Sequence, residues 1–243
     1  MRLTSDEFSA WAEPLYQSLG EKLTWTKVSI DADFHGVTIS MQRTRNQVDP
    51  QIIINVARKR GLEPLEQLGR IPRWNYLSAV RSTPSQLEII ASLSPAHVYR
   101  ELADRLLINA PRHSDFGPWD AYHGRLSTWV DVAGPDNARD VMRRELQLRT
   151  SSSLSRKLNS HSKFDADEAI DGFTAAGMDP VYALVLANVL TPQEAGYSDT
   201  IREDALLSIS DEDLLHLCQR QVRYTSRLLA DNRVAEEHLR KLQ

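Results

Sequence analysis

Cysteine is almost absent: Cys218 is the only one among 243 residues. No intrachain disulfide is available, and a multi-cysteine zinc site is excluded. Long apolar runs are missing too. No stretch reaches the roughly 18 apolar residues of a membrane-spanning helix, so no membrane partner is expected. The start, Met1-Arg2-Leu3-Thr4-Ser5-Asp6-Glu7, turns acidic at once and does not read as a signal peptide. A cytoplasmic protein is the expectation. Neither a phosphate-cradling glycine loop nor a nucleophile elbow occurs, so no cofactor and no enzyme activity are implied. His113, Asp115, Asp120 and His123 cluster, but their spacing matches no tight ligand pattern, and no metal is expected. Cys218 falls on an apolar helix face and reads as a buried structural thiol. Trp11, Trp25, Trp74, Trp119 and Trp129 read as core anchors.

What is present is an ordinary globular balance, with 41% hydrophobic and 26% charged residues and a net charge of −4. That sum taken alone argues against a nucleic-acid partner, but the charge is unevenly placed. Residues 35–60 carry Arg43, Arg45, Arg58, Lys59 and Arg60 against Asp49, net +4. Residues 139–163 carry Arg139, Arg143, Arg144, Arg149, Arg156, Lys157 and Lys163 against Asp140 and Glu145, net +5. Residues 164–218 hold Arg202 against twelve acids, net −11. Local basic patches, not the total, attract a polyanion at contact distance, because charges beyond about 10 Å are screened at 0.1 M salt.

The two basic segments occupy like places in an internal repeat. Gly61-Leu62-Glu63-Pro64 aligns with Gly177-Met178-Asp179-Pro180 at an offset of 116, and 48–106 against 164–222 gives nine identities in 59 pairs. Upstream, an offset of 113 sets Arg43 on Arg156 and Asn46 on Asn159, with Ser160-His161-Ser162-Lys163 absorbing the difference. The expectation is an all-α fold of two helix-turn-helix domains in tandem, 1–110 and 111–243, each followed by an extra helix. Apolar spacing predicts helices near 7–19, 25–33, 38–46, 119–131, 137–147, 151–159, 165–176 and 179–190. Others open at Asp49-Pro50, Ser94-Pro95 and Ser210, the last reaching about 240. Asp6 or Ser5 is the expected first cap. One segment is ambiguous. Val28, Ile30, Ala32 and Phe34, then Val37, Ile39 and Met41 about His35-Gly36, alternate with period two, as a β-hairpin would. The matching stretch 136–147 lacks the alternation, which favours helix in both.

Two short helices with a tight turn suggest helix-turn-helix geometry. In the first copy the turn is Phe34-His35-Gly36-Val37, and the following helix offers Thr38, Ser40, Gln42, Arg43, Arg45 and Asn46. Thr26 and Lys27 open the preceding helix. In the second copy the turn is Leu148-Arg149-Thr150, and the helix offers Ser151, Ser152, Ser153, Ser155, Arg156, Lys157 and Asn159. Small hydroxyls and amides let phosphate approach, Arg suits guanine and Gln or Asn suits adenine. Arg43 and Arg156 are the expected base readers.

Both segments resemble the lambda-repressor-like helix-turn-helix domains of phage and prophage repressors, with particular similarity to small immunity repressors of actinobacterial phages. The resemblance is carried by Trp25-Thr26-Lys27-Val28 through Val48-Asp49-Pro50, then Ile54-Asn55-Val56-Ala57-Arg58 and Gly61-Leu62. It covers about 25–68 well and 137–184 less well. Asp33 and Leu146 stand where that family commonly has a turn glycine. The resemblance implies operator binding and transcriptional repression of double-stranded DNA, here through an asymmetric site. Neutralising six to eight phosphates would give a log K against log[salt] slope of about −5 to −7. The rival reading is a protein-interaction module, antitoxin-like or a phage regulatory subunit, whose second domain does not bind DNA. The acidic 164–218 surface, as a protein-partner site, favours it. Leu228, Leu229, Val234, Leu239 and Leu242 in the final helix read equally as a cap on the second domain or as a homodimer contact.

Overall fold

Capping chemistry starts most of the helices. The computed structural model describes residues 2–79, 83–106, 125–159 and 164–240, by backbone alone at 79, at 125 and beyond 226. Thr4, rather than Ser5 or Asp6, opens α1 (Ser5–Ser18) with a capping box: its hydroxyl accepts from the Glu7 amide, and the Glu7 carboxylate accepts from the Thr4 amide at 2.8 Å. Thr24 caps α2 (Trp25–Ala32), and α3 (Gly36–Thr44) and α4 (Gln51–Lys59) follow. Short helices α5 (Pro64–Gly69), α6 (Tyr76–Ala79) and α7 (Gln86–Ala91) lead to α8 (Pro95–Leu106). The chain continues through α9 (Arg125–Ala133), α10 (Ala138–Glu145), α11 (Ser151–Asn159), α12 (Ala166–Ala175), α13 (Pro180–Leu186), α14 (Ile201–Ser208) and α15 (Asp211–Arg240). The fold is all-α. Among the described residues the only β-type contact is an isolated bridge between Leu3 and Val48.

The period-two segment is helical. Val28, Ala32 and Ile39 point inward and are fully buried, while Ile30 and Val37 are 67% and 71% exposed. The alternation therefore came from apolar residues on both faces of two helices, not from the two faces of a strand.

Helix bounds recur along the chain. α2 and α10 agree at an offset of 113, α3 and α11 start 115 apart, and α8 and α15 start 116 apart. Gly61 and Gly177, also 116 apart, both take the left-handed conformation that ends α4 and α12 (φ 66° and 71°). The change from 113 to 115 has a local cause: three residues separate α2 from α3, and five separate α10 from α11.

One continuous apolar core runs through both halves. Trp74 and Trp129 are its largest fully buried members, and Trp129 lies 5.1 Å from Phe173 and 5.7 Å from Tyr182 between ring centres. Trp11 is buried and Trp25 half-buried, whereas Trp119 lies outside the described residues. Cys218 is buried, and that burial pushes its thiol pKa up, away from nucleophilic reactivity. α7 packs on α9 and α14, and α8 on α15. The 110/111 boundary and the 113–123 His/Asp cluster lie outside the described residues; among those described, no group of three or more His, Cys, Asp or Glu gathers around a metal-sized space. No described helix is long and apolar enough to cross a membrane.

The acidic run 164–218 does much of its pairing with the first half. Asp165 takes Arg2 at 2.8 Å, Asp171 accepts from the Trp74 indole at 2.9 Å, and Asp211 takes Arg105 at 2.7 Å. Glu194 receives both Nε and Nη2 of Arg58 (2.6 and 2.7 Å), and Arg58 also donates to the Val189 carbonyl. The Arg58 hydrogen bond holds Glu194 below its ordinary carboxylate pKa of 4.5. A lowered folded pKa contributes stability above the unfolded pKa and loses it as pH falls through the folded value. Wild type should therefore lose up to about 1 kcal/mol across that acid window that a Glu194→Gln variant never had, as read by denaturant midpoints at pH 7 and pH 3.

Candidate nucleic-acid interface

The helical period divides α3 into two stripes. Ile39 is buried, Gln42 and Arg43 are half-buried on the same side, and Val37, Thr38, Met41, Thr44 and Arg45 face outward. The inner polar residues are engaged locally. The Gln42 carbonyl accepts from the Asp49 amide at 2.9 Å, and the Asn46 carbonyl accepts from the Ser5 amide at 2.7 Å. The Arg43 guanidinium stacks 3.6 Å from the centre of the Trp25 ring, and desolvation there lowers its pKa. The side chains chosen from sequence as base readers in the first copy thus fasten α3 to α1, α2 and the start of α4.

Asn46 holds a left-handed backbone at the end of α3 (φ 54°), as Asp33 does at the end of α2 (φ 55°). Asp33 fills the turn-glycine place by adopting the glycine conformation, which Asn and Asp tolerate best among side chains. In the second copy the left-handed residue is Gln147 (φ 52°), one beyond Leu146.

In α11 the buried residues are Leu154 and Leu158, and the outward stripe is Ser152, Arg156 and Asn159, continued backward by Arg149. Ile39 and Leu154 share the inner position at an offset of 115. Arg156 therefore stands opposite Met41, and Arg43 opposite buried Leu158. The equivalence of Arg43 and Arg156 read at 113 fails because the longer α10–α11 turn shifts the register by two. Ser151 is exposed, Ser153 hydrogen-bonds to Thr150 at 2.9 Å, and Ser155 receives Arg139 at 3.1 Å. Thr26 is exposed at the start of α2, Lys27 pairs with Glu21 at 2.9 Å, and Ser40 gives its carbonyl to the Thr44 hydroxyl.

Ion pairing redistributes the two basic segments. In the first, Arg58 is held by Glu194, Arg60 by Asp31 and Glu21, and Arg43 by Trp25, leaving Arg45 and Lys59 exposed. In the second, Arg139 pairs with Asp131 and Lys157 with Glu168. Among the described residues, Arg143 and Arg144 bond only to backbone carbonyls of their own segment, at 3.5 and 3.3 Å. Arg149 and Arg156 are exposed with no carboxylate partner among the described residues; Lys163 lies outside them. Among the described residues, segment 139–159 therefore carries more positive charge without a carboxylate partner than segment 35–60.

The two units border one cleft of about 420 Å³, lined by Asn46 and Gln47 from the end of α3, by Glu145, Leu146 and Gln147 from the end of α10, and by the start of α12. Arg2 crosses it and pairs with both Asp49 and Asp165, which stand at the starts of α4 and α12 and are 116 residues apart. The end of α3 is thereby fixed beside the α10–α11 turn. Val37, Met41, Arg144 and the Arg2 clasp were not among the binding residues read from sequence. The two apolar residues were readable as outward only once Ile39 was known to face inward.

No family model, curated protein or solved structure matches this chain.

Proposed function

We propose that the chain is a sequence-specific double-stranded-DNA-binding transcriptional repressor, of the phage or prophage immunity kind that its sequence resembles, acting in the cytoplasm. The observation that supports this most is the pair of short exposed helices whose flanking segments, 34–48 and 146–159, contain no acidic residue. Around them stand Arg45, Arg143, Arg144, Arg149 and Arg156, unpaired with any carboxylate in the described structure. A protein meeting phosphate with such a surface gains from counterion release. Asp165, Asp171, Glu194 and Asp211 pair within the chain, which narrows the surface left to the rival protein-docking reading of 164–218 chiefly to Asp199, Asp204, Glu212 and Asp213. The dimer contact read in the final helix rests on side chains outside those described. Up to Tyr224 one face of α15 packs within the chain, with Arg220 donating to the Gly134 carbonyl and Tyr224 to Ser127, while Leu215 and Val222 stay exposed.

Selection from a random-sequence duplex library tests the proposal. Enrichment of one asymmetric motif supports it, and no enrichment at 50 mM salt refutes it. Within this reading Arg43 positions α3 and does not read bases. An Arg43→Ala variant should lose about 1 kcal/mol of stability with the Trp25 stack. It should keep the wild-type motif and salt slope, whereas Arg156→Ala should lower the slope by about 0.9. Thermal unfolding and fluorescence anisotropy separate the two.

A further inference from the structure

Val37 and Met41 present a chemical puzzle. Both are large apolar side chains left in water, 71% and 46% exposed, on a helix of only nine residues. They lie one turn apart on the outward stripe, with Thr38, Thr44 and Arg45 around them. A protein-docking face needs roughly 800 Å² per partner, more than these side chains and their hydroxyl neighbours supply as an apolar surface. The absence of any acid on α3 instead suits a polyanion.

We propose that α3 reads thymine 5-methyl groups in the major groove through Val37 and Met41, while the arginines of the α10–α11 unit supply the phosphate contacts. This rests on the DNA-binding reading above. Thymine alone among the four bases carries an apolar group at the major-groove edge, and apolar side chains are its natural complement. Four residues of helix rise about 6 Å, close to two base steps of about 3.4 Å each, so the pair can meet methyls two steps apart. The second unit has the opposite character. At the position of Met41 it carries Arg156, and at that of Val37 it carries Ser152, at the common offset of 115. The cleft spanned by Arg2 sets the end of α3 beside the α10–α11 turn, so both units can address one duplex.

The test uses the duplex enriched by the full-length protein from a random library. Each thymine is replaced in turn by deoxyuridine, which removes only the methyl. Wild type should lose about fourfold in affinity at one or two positions, the worth of one buried methyl. In a Val37→Ala/Met41→Ala variant, whose changes lie on an exposed face, the uridine penalty at those positions should vanish while the salt slope stays unchanged. An Arg149→Ala/Arg156→Ala variant should show the reverse, a reduced slope with the penalty intact. Wild type binding thymine and uracil duplexes equally, or the apolar double variant keeping the penalty, overturns the inference while leaving DNA binding standing. Failure to enrich any duplex overturns both.

Discussion

Replacing Arg149 and Arg156 together by alanine is expected to weaken binding to the selected duplex on the order of 50-fold at 0.1 M salt. The reasoning is electrostatic. Each phosphate neutralised releases condensed counterions and contributes about −0.9 to the slope of log K against log[salt], so two contacts are worth about 1.8 decades between 0.1 and 1 M. Both side chains are exposed, stand on the outward stripe of the α11 segment and have no carboxylate partner among the described residues. Their removal should leave the unfolding midpoint within about 0.5 kcal/mol of wild type, as is usual for surface changes. The same substitutions made at Arg58 and Arg60 should do the opposite. Those two are occupied by Glu194, Glu21 and Asp31, so stability should fall and the salt slope should hold.

The largest stability effect is expected at Asp31. It is 8% exposed on α2 and accepts three hydrogen bonds: from the Tyr16 hydroxyl at 2.6 Å and from Nε and Nη2 of Arg60 at 2.9 and 2.5 Å. Arg60 also reaches Glu21, which Lys27 bonds as well. Burial, and then the bond to Asp31, push the Tyr16 hydroxyl pKa well up. An Asp31→Ala variant leaves the Tyr16 phenol without its acceptor and Arg60 with Glu21 alone. Removing one member of such a pair costs about 3–5 kcal/mol. For a chain of this size that is a fall in Tm of about 10 °C. Tyr16→Phe, which deletes one donor to the carboxylate, should cost about half as much. Because the network joins α1, α2 and α4, the alanine variant should also weaken DNA binding through a displaced α3, and scanning calorimetry beside anisotropy would register both losses.

Much of the helical pattern was readable from the chain. The serine-led segment at 151–159, the Asp165 start and the Gly61 and Gly177 stops are written in local chemistry that needs no tertiary partner. The short helices α5, α6, α7 and α14 were not legible: the first three hold four to six residues, too few turns to show a period, and α14 opens at Thr200 with no side-chain cap. The candidate site was legible as a region and not residue by residue. Arg43 and Arg45 are alike as sequence, and only the burial of Ile39 turns one inward onto Trp25 and leaves the other in solvent. The acidic run looked like an exposed partner surface because its counterparts, Arg2, Arg58, Trp74 and Arg105, lie roughly 100 or more residues away in the chain. Pairing at that separation depends on how the halves pack, which local periodicity does not encode. The two extra residues between α10 and α11 had the same effect on register: they moved Arg156 opposite Met41.

The central claim is that an acidic chain binds duplex DNA through a few unpaired arginines grouped at its two exposed helices. The most direct measurement is the affinity of the full-length protein for its selected duplex as salt is raised from 50 to 300 mM. Five flanking cations predict a straight line of log K against log[salt] with a slope of about −4 to −5, falling to about −3 in the Arg149→Ala/Arg156→Ala variant. A slope near zero, or one that those two substitutions leave unchanged, would contradict it.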